Sequence, residues 1–142
     1  MLKKTLLILT VFFTICFSTV SFASCNLDMN RWRWVTSTDK FGVYVDTQTL
    51  KYSNNFAQVW QCLYCPNGCE LYPNIGEHYH YNLEYINYGN NTMGMRSFSD
   101  MDSRGHVLES KTYSYVNYSP IPPGTVAESM AIFVRNLFTR RY

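Results

Sequence analysis

Short segments in which apolar and polar residues alternate constrain the fold of this chain more than any other feature. In FGVYVD, residues 41–46, every second residue is Phe or Val. A period of two is typical of a β-strand with one buried face. Most of the joining segments are short and rich in Asn, Asp or Gly, so consecutive strands are expected to pair as an antiparallel meander. The predicted strands are residues 32–36, 41–46, 56–64, 80–88, 93–101 and 106–115.

The alternation stops at SPIPPGT, residues 119–125, where three prolines end the sheet because proline cannot donate to a ladder of hydrogen bonds. Thr125 and Glu128 then form a T-x-x-E capping box, and apolar residues recur at helical spacing. These signals predict a helix at about residues 125–139. Its apolar stripe must be buried, so the predicted fold class is α+β: a single antiparallel β-sheet of about six strands with one C-terminal helix packed on one face.

The first 23 residues have the features of a secretory signal peptide. Two lysines precede an apolar run at residues 6–17, and small residues follow at 21–24. The apolar run is shorter than the roughly 20 residues that a membrane-spanning helix needs. We therefore predict a signal peptide at residues 1–23, a single domain at residues 24–142, and export without a transmembrane helix.

Two processing routes are open at the end of this peptide. The small residues before Ser24 fit an ordinary signal peptidase, which would release a soluble protein. The segment FASC, residues 22–25, also matches a loose bacterial lipobox, and cleavage there would leave an acylated Cys25 as a membrane anchor. The predicted location is the bacterial periplasm, the outer-membrane surface or the medium.

The charge balance argues against one class of partner. The chain carries 12 Lys and Arg against 10 Asp and Glu. Two of the lysines belong to the predicted signal peptide, so the mature domain is balanced and has no basic field for nucleic acid. Tyr is the leading aromatic type, with 12 residues, and it suits both strands and protein contact surfaces.

Four cysteines remain after removal of the predicted signal peptide: Cys25, Cys62, Cys65 and Cys69. An even number of cysteines in an exported protein indicates two disulfides, and four cysteines allow three connectivities. A bond from Cys25 to one of the other three would tie the N-terminus to the sheet, and the remaining pair would close a small loop. The segment at residues 62–78 is therefore predicted to be a stapled insertion loop.

A metal site is the alternative for the same segment. Three thiolates and an imidazole are enough for a tetrahedral zinc site. The candidate ligands are Cys62, Cys65, Cys69, His78 and His80. No other cofactor is predicted.

Ionisable residues of a catalytic type surround the predicted hairpin turn. Asp100, Asp102 and His106 lie around it, and His80 begins the predicted strand at residues 80–88. Aspartates beside a turn usually cap backbone groups, and a histidine after a turn glycine is expected to be exposed. Because no Ser/His/Asp order, phosphate loop or carboxylate pair in a pocket accompanies them, we predict no catalytic residue and no enzymatic activity.

Tyrosines around the insertion are candidates for protein contact. Tyr64, Tyr72 and Tyr79 would form an amphipathic binding loop if their rings are exposed, since Tyr is enriched at interfaces. Tyr72, which precedes Pro73 in the loop, is the best candidate of the three. The aromatic residues assigned to the core instead are Trp34, Trp60 and Phe98.

Three segments carry a family resemblance: WRWVTSTDKFGVYVDTQTL at residues 32–50, SFSDMDSRGHVLES at 97–110 and IPPGTVAESM at 121–130. In their order and spacing they resemble the surface-adhesin protein E-like family of bacterial secreted and lipid-anchored proteins. The resemblance implies a small antiparallel sheet with a C-terminal helix, and adhesion to host extracellular-matrix or plasma proteins. The chain departs from the family pattern in its insertion and in having no cysteine after Cys69.

Export, the tyrosine-rich strands and this resemblance together predict a non-enzymatic binding domain, either a surface adhesin or an envelope protein–protein interaction module. The predicted partner is a protein, from the host extracellular matrix or from the envelope. The alternative function is a periplasmic metal-binding protein that uses Cys62, Cys65 and Cys69.

Overall fold

The computed structural model describes residues 25–68, residue 70 and residues 72–140. The predicted signal peptide at residues 1–23 lies outside the described residues, and so does Cys69. Within the described ranges, no helix is long and apolar enough to cross a membrane.

One antiparallel sheet and one α-helix make up the regular structure of the described residues, which confirms the predicted α+β fold class. The helix, α1, spans Val126–Thr139. The strands are β1 (Trp32–Ser37), β2 (Gly42–Asp46), β3 (Lys51–Ser53), β4 (Phe56–Cys65), β5 (His78–Asn87), β6 (Thr92–Asp102), β7 (Val107–Thr112) and β8 (Ser119–Pro120).

The sheet is a meander in which neighbours along the chain are neighbours in space. Its main order is β1-β2-β4-β5-β6-β7, with β3 paired to β4 and β8 paired to β6. The central strand β5 pairs along its whole length with β4 on one side and β6 on the other. β1 and β7 are therefore the two edges of the main sheet.

The two shortest strands, β3 and β8, are not predicted by the sequence. All three residues of β3 are exposed, so they carry no alternation of burial. The prediction that the sheet ends before SPIPPGT is wrong by two residues, because Ser119 and Pro120 pair with Met93 and Thr92. A two-residue pairing at a sheet margin tolerates a proline that the interior of a ladder excludes.

Helix α1 begins at the predicted capping box. The side chain of Thr125 accepts a hydrogen bond from the backbone N–H of Glu128 at 3.2 Å. The Glu128 carboxylate in turn accepts the backbone N–H of Gly124 at 2.7 Å. Gly124 has a φ of 73°, a conformation that glycine adopts without steric cost. Both carboxylate and hydroxyl therefore satisfy N–H groups that a helix start would otherwise leave without partners.

Helix α1 packs on one side of the sheet, which we call the helix face. Met130 and Val134 of the helix are fully buried against Val45, Val59 and Ile86 of the sheet. Burial of each side chain of this size contributes roughly 1.5–3 kcal/mol. This cluster is the main core, and it occupies the helix face at the end where β5 finishes.

The opposite side of the sheet, which we call the aromatic face, carries a second cluster. Residues just before β1 lie over it, and the backbone N–H of Asn26 donates to the Tyr79 hydroxyl at 2.9 Å. The buried members of this cluster are Leu27, Trp32, Tyr44, Cys62, Tyr64 and Tyr79. The N-terminal segment is therefore held to the sheet by packing and by a backbone hydrogen bond.

Candidate functional site

The insertion between β4 and β5 is shorter than the predicted residues 62–78, because β4 continues to Cys65 and β5 begins at His78. It is tied to the sheet through one tyrosine. The Tyr72 hydroxyl lies 3.0 Å from Asp100 Oδ2 and 3.1 Å from Glu109 Oε2. Its ring also meets the buried ring of His78 edge-on, with the ring centroids 5.6 Å apart. Asp100 belongs to β6 and Glu109 to β7, so the insertion is fastened to two strands.

Asp100 is also the partner of His80. The two residues are opposite each other between β5 and β6, and the His80 Nδ1–H donates to Asp100 Oδ1. The His80 ring stacks on Phe98, with the centroids 5.9 Å apart. A carboxylate on Nδ1 fixes the tautomer whose Nε2 can accept a proton, which is a geometry that acid–base chemistry can use. The prediction that Asp100 caps the turn is wrong, because its side chain reaches across the strand pair instead.

The turn beside it behaves as predicted. Asp102 Oδ1 accepts the backbone N–H groups of Arg104 and His106, both at 2.9 Å. The hydrogen bond from the His106 backbone is the largest of the effects that lower the pKa of Asp102 to about 2. His106 itself is exposed. Asp102 therefore stabilises the hairpin by capping its backbone.

Between the insertion and α1, the helix face carries a row of polar side chains. His80, Asn82 and Glu84 alternate on the same side of β5 as the core residue Ile86. The Asn82 amide donates to Gln61 Oε1 at 3.3 Å, while its Oδ1 has no hydrogen-bond partner among the described residues. Burial raises the pKa of Glu84 to about 7. The alternation of apolar and polar residues does not predict this row, because a buried polar residue gives the same pattern as an exposed polar residue.

No disulfide joins any two of the described cysteines, Cys25, Cys62 and Cys65. The predicted bond from Cys25 to the cluster is thus not formed with either of the two on β4, and Cys69 lies outside the described residues. Cys62 is fully buried, and burial raises the pKa of its thiol. Disulfide exchange needs a thiolate with access to its partner, so burial disfavours the reaction at this position.

The predicted metal ligands that the structure describes, Cys62, Cys65, His78 and His80, do not form a metal site. Among the described residues, no group of three or more metal-ligating side chains is close enough to hold an ion. Cys62 and Cys65 are three positions apart on one strand and so point to opposite faces. His80 is engaged by Asp100. The metal-binding alternative therefore gains no support from these residues.

Two of the three predicted contact tyrosines are buried. Tyr64 and Tyr79 pack against each other in the aromatic face, with ring centroids 5.1 Å apart. Tyr72 is half-buried and bonded to the sheet, as described above. The prediction that Trp34 belongs to the core is wrong, since its side chain on the edge strand β1 is 52% exposed. Trp60 and Phe98 are half-buried.

The most exposed aromatic side chain among the described residues, that of Tyr115, lies after β7. Tyr115 is 72% exposed, and Tyr118 is exposed as well. All six residues of β7 are also exposed, including Val107 at 55%. The sequence predicts a single strand at residues 106–115, and this prediction misses the exposed surface after β7. Its one sequence signal is TYSYVNYS, residues 112–119, because tyrosine among small polar residues is typical of contact loops.

A cavity of about 360 Å³ opens within the segment at residues 113–118, which we call the tyrosine segment. The residues that line it are Met95, Tyr113, Ser114, Tyr115 and Asn117. The backbone N–H of Tyr113 still donates to Arg96 O at 2.9 Å, and the chain then passes close over Gly94. A Cβ atom on Gly94 would lie 2.5 Å from the Asn117 carbonyl oxygen. The tyrosine segment is therefore held in place by the backbone of β6.

Comparison of the chain with protein-family models, with curated proteins and with solved structures finds no match.

Proposed function

We propose that this chain is an exported, non-enzymatic domain whose function is contact with another protein, either a host extracellular-matrix or plasma protein or a component of the bacterial envelope. The observation that carries the proposal is the tyrosine segment, in which Tyr115 is 72% exposed beside a cavity of about 360 Å³. Exposed apolar surface grouped on one part of a domain marks interaction sites more often than scattered exposure does.

The chemistry of the tyrosine segment fits a protein partner. Tyrosine supplies a large ring and a hydroxyl at low conformational cost, and the neighbouring Ser114 and Asn117 supply adaptable hydrogen-bond groups. A side chain of the partner could enter the cavity while the Tyr115 ring covers it. Tyr72 is a second contact residue at most, because its hydroxyl is already used within the domain.

The export signal at residues 1–23 and the resemblance to surface-adhesin protein E-like proteins support the choice of partner class. The features that carry the resemblance lie in the strands, the hairpin at residues 97–110 and the start of α1. The tyrosine segment and the insertion lie between these features. Binding residues commonly sit on such connections, because a rigid sheet positions them while their sequence is free to differ.

The test is saturable binding of the exported protein to individually purified extracellular-matrix proteins, plasma proteins and envelope proteins on a sensor surface. Tyr115→Ser should weaken binding to the responding protein roughly tenfold, the scale of losing a central interface tyrosine. Ile132→Ser is the matched control, since Ile132 is exposed on the outer side of α1 and should not matter. The absence of saturable binding to every member of the panel, or equal effects of the two variants, would overturn the proposal.

A further inference from the structure

The outer edge of β7 is an open row of backbone groups. Among the described residues, no strand lies beyond β7 in the sheet. The backbone N–H of Tyr113 points to β6, where it donates to Arg96 O. Because the direction alternates along an antiparallel strand, Ser110 and Thr112 point their N–H and C=O groups away from β6. Such an edge can accept a further strand.

We infer that the partner on this edge is a second copy of the chain, paired antiparallel through β7 about a two-fold axis at Ser110. A two-fold pairing must place groups that point outward opposite each other, and Ser110 opposite itself meets this condition. Glu109 of each copy then lies opposite Lys111 of the other. Two carboxylate–ammonium pairs form on one side of the joined sheet.

Charge selects this register over its neighbours. A shift of the axis to position 109 would place Glu109 opposite Glu109, and a shift to position 111 would place Lys111 opposite Lys111. Like charges directly opposite each other in a strand pair are destabilising, whereas opposite charges attract. Lys111 makes no ion pair within the described residues, and its ammonium lies over the Tyr113 ring at 4.9 Å from the centroid. It is therefore available to a carboxylate from outside.

Exposed apolar side chains at the same edge also favour its burial by a second strand. Val107 and Leu108 are both exposed at the start of β7. The register between β6 and β7 shifts at this point, so the regular edge consists of residues 109–112. A pairing this short buries less area than the roughly 1,600 Å² of a standard interface. The dimer should accordingly be weak and should appear only as the protein concentration rises.

The inference goes beyond the proposed function, because association between two copies of the chain does not depend on the binding of another protein. It is therefore tested by the mass of the purified protein in solution, without any partner. Sedimentation equilibrium of the exported protein at rising concentration should show the weight-average mass moving from monomer towards dimer. Lys111→Glu should weaken association roughly tenfold, because it replaces both attractions by repulsions. The double variant Glu109→Lys with Lys111→Glu exchanges the charges within each chain and should restore association.

Two controls separate the edge pairing from other causes. Lys51→Glu makes the same change of charge on the exposed strand β3 and should associate like the wild-type protein. Ser110→Pro removes an outward N–H without touching the bonds to β6, and should abolish association while the circular dichroism of the domain is unchanged. A wild-type protein that stays monomeric up to about millimolar concentration, well above the micromolar range of specific complexes, would overturn the inference. Association of Lys111→Glu equal to that of the wild-type protein would also overturn it.

Discussion

The hydroxyl of Tyr72 lies between two carboxylates, 3.0 Å from Asp100 Oδ2 and 3.1 Å from Glu109 Oε2. One hydroxyl has one proton, so it donates to one carboxylate at a time. Burial and then the hydrogen bond to Asp100 raise the pKa of Tyr72, so the proton stays on the tyrosine at neutral pH. This residue is therefore a hydrogen-bond donor that holds the insertion to β6 and β7.

Tyr72→Phe should loosen the insertion without changing the sheet. Loss of a hydrogen bond to a charged acceptor in a half-buried site should lower the free energy of unfolding by about 1–2 kcal/mol. Hydrogen exchange should become faster at residues 72–77 and stay slow in β5. Tyr115→Phe is the control, because Tyr115 is exposed and has no hydrogen bond within the described part of the chain. Unchanged exchange in the insertion would contradict the role assigned to Tyr72.

Glu84 makes the stability of the domain depend on pH. It lies opposite Val59 and Met95 in the centre of the sheet, and burial raises its pKa from 4.5 to about 7. The folded state therefore binds this proton more tightly than the unfolded state. Stability is fully present below pH 4.5 and falls as the pH rises to about 7, after which this contribution is constant.

Glu84→Gln should remove that dependence. The pKa difference corresponds to about 3 kcal/mol, so the variant should be more stable than the wild-type protein at pH 8 by up to about this amount, and similar at pH 4. Urea denaturation at pH 4, pH 6 and pH 8 measures the difference. Glu70→Gln, at an exposed position, should show a small effect that is the same at pH 6 and pH 8. A wild-type pH profile that Glu84→Gln leaves unchanged would contradict the assignment.

Period-two alternation and capping chemistry predict most of this fold, because both are local. Val45 in the segment at residues 41–46 packs in the core cluster under α1, and Thr125 and Glu128 start the helix at the predicted residue. The pairing of β8 depends on a long-range contact between Pro120 and Thr92, which no local pattern records. β3 is fully exposed and so leaves no periodic signal.

The candidate site is less predictable, because its features arise from contacts between distant segments. Asp100 and Asp102 are two positions apart, yet Asp102 caps its own turn while Asp100 meets Tyr72 of the insertion and His80 of β5. Trp34 is 52% exposed, whereas Trp32 on the same strand β1 is buried in the aromatic face, and the alternation of residues in the sequence does not distinguish the two. Tyr115 lies three residues after the end of β7, although the sequence predicts a strand that continues to residue 115.

Gly94 should tolerate no side chain. A Cβ at this position would lie 2.5 Å from the Asn117 carbonyl oxygen and 2.7 Å from Val116 Cγ1. Gly94→Ala should therefore displace the tyrosine segment and lower the free energy of unfolding by about 1–3 kcal/mol. Thermal unfolding gives the stability, and the fluorescence of the tyrosines reports the displacement. Gly76→Ala is the control, since a Cβ there meets nothing within 4 Å. Equal stability of the two variants would show that the backbone at Asn117 yields easily.

Asp46 should be the main source of acid sensitivity near β1. It is fully buried, and its Oδ2 accepts Arg31 Nη2–H at 2.6 Å and the Thr49 hydroxyl at 2.7 Å. Burial alone would raise the pKa of Asp46, but these hydrogen bonds outweigh it and lower the pKa below its usual 3.8. A lowered pKa in the folded state contributes stability above pH 3.8, and this stability is lost as the pH falls through the folded value.

Asp46→Asn should therefore be less stable than the wild-type protein at pH 7, by about 2–3 kcal/mol, because Arg31 keeps its charge but loses the carboxylate. The difference should shrink as the pH is lowered below 3.8, where protonation removes the same charge from the wild-type protein. Urea denaturation at pH 7 and near pH 2.5 measures both values. Asp39→Asn, at an exposed turn position, should change stability by less than about 0.5 kcal/mol at pH 7. A gap between wild type and Asp46→Asn that stays constant with pH would mean that packing around Asp46, and not its charge, stabilises this end of the sheet.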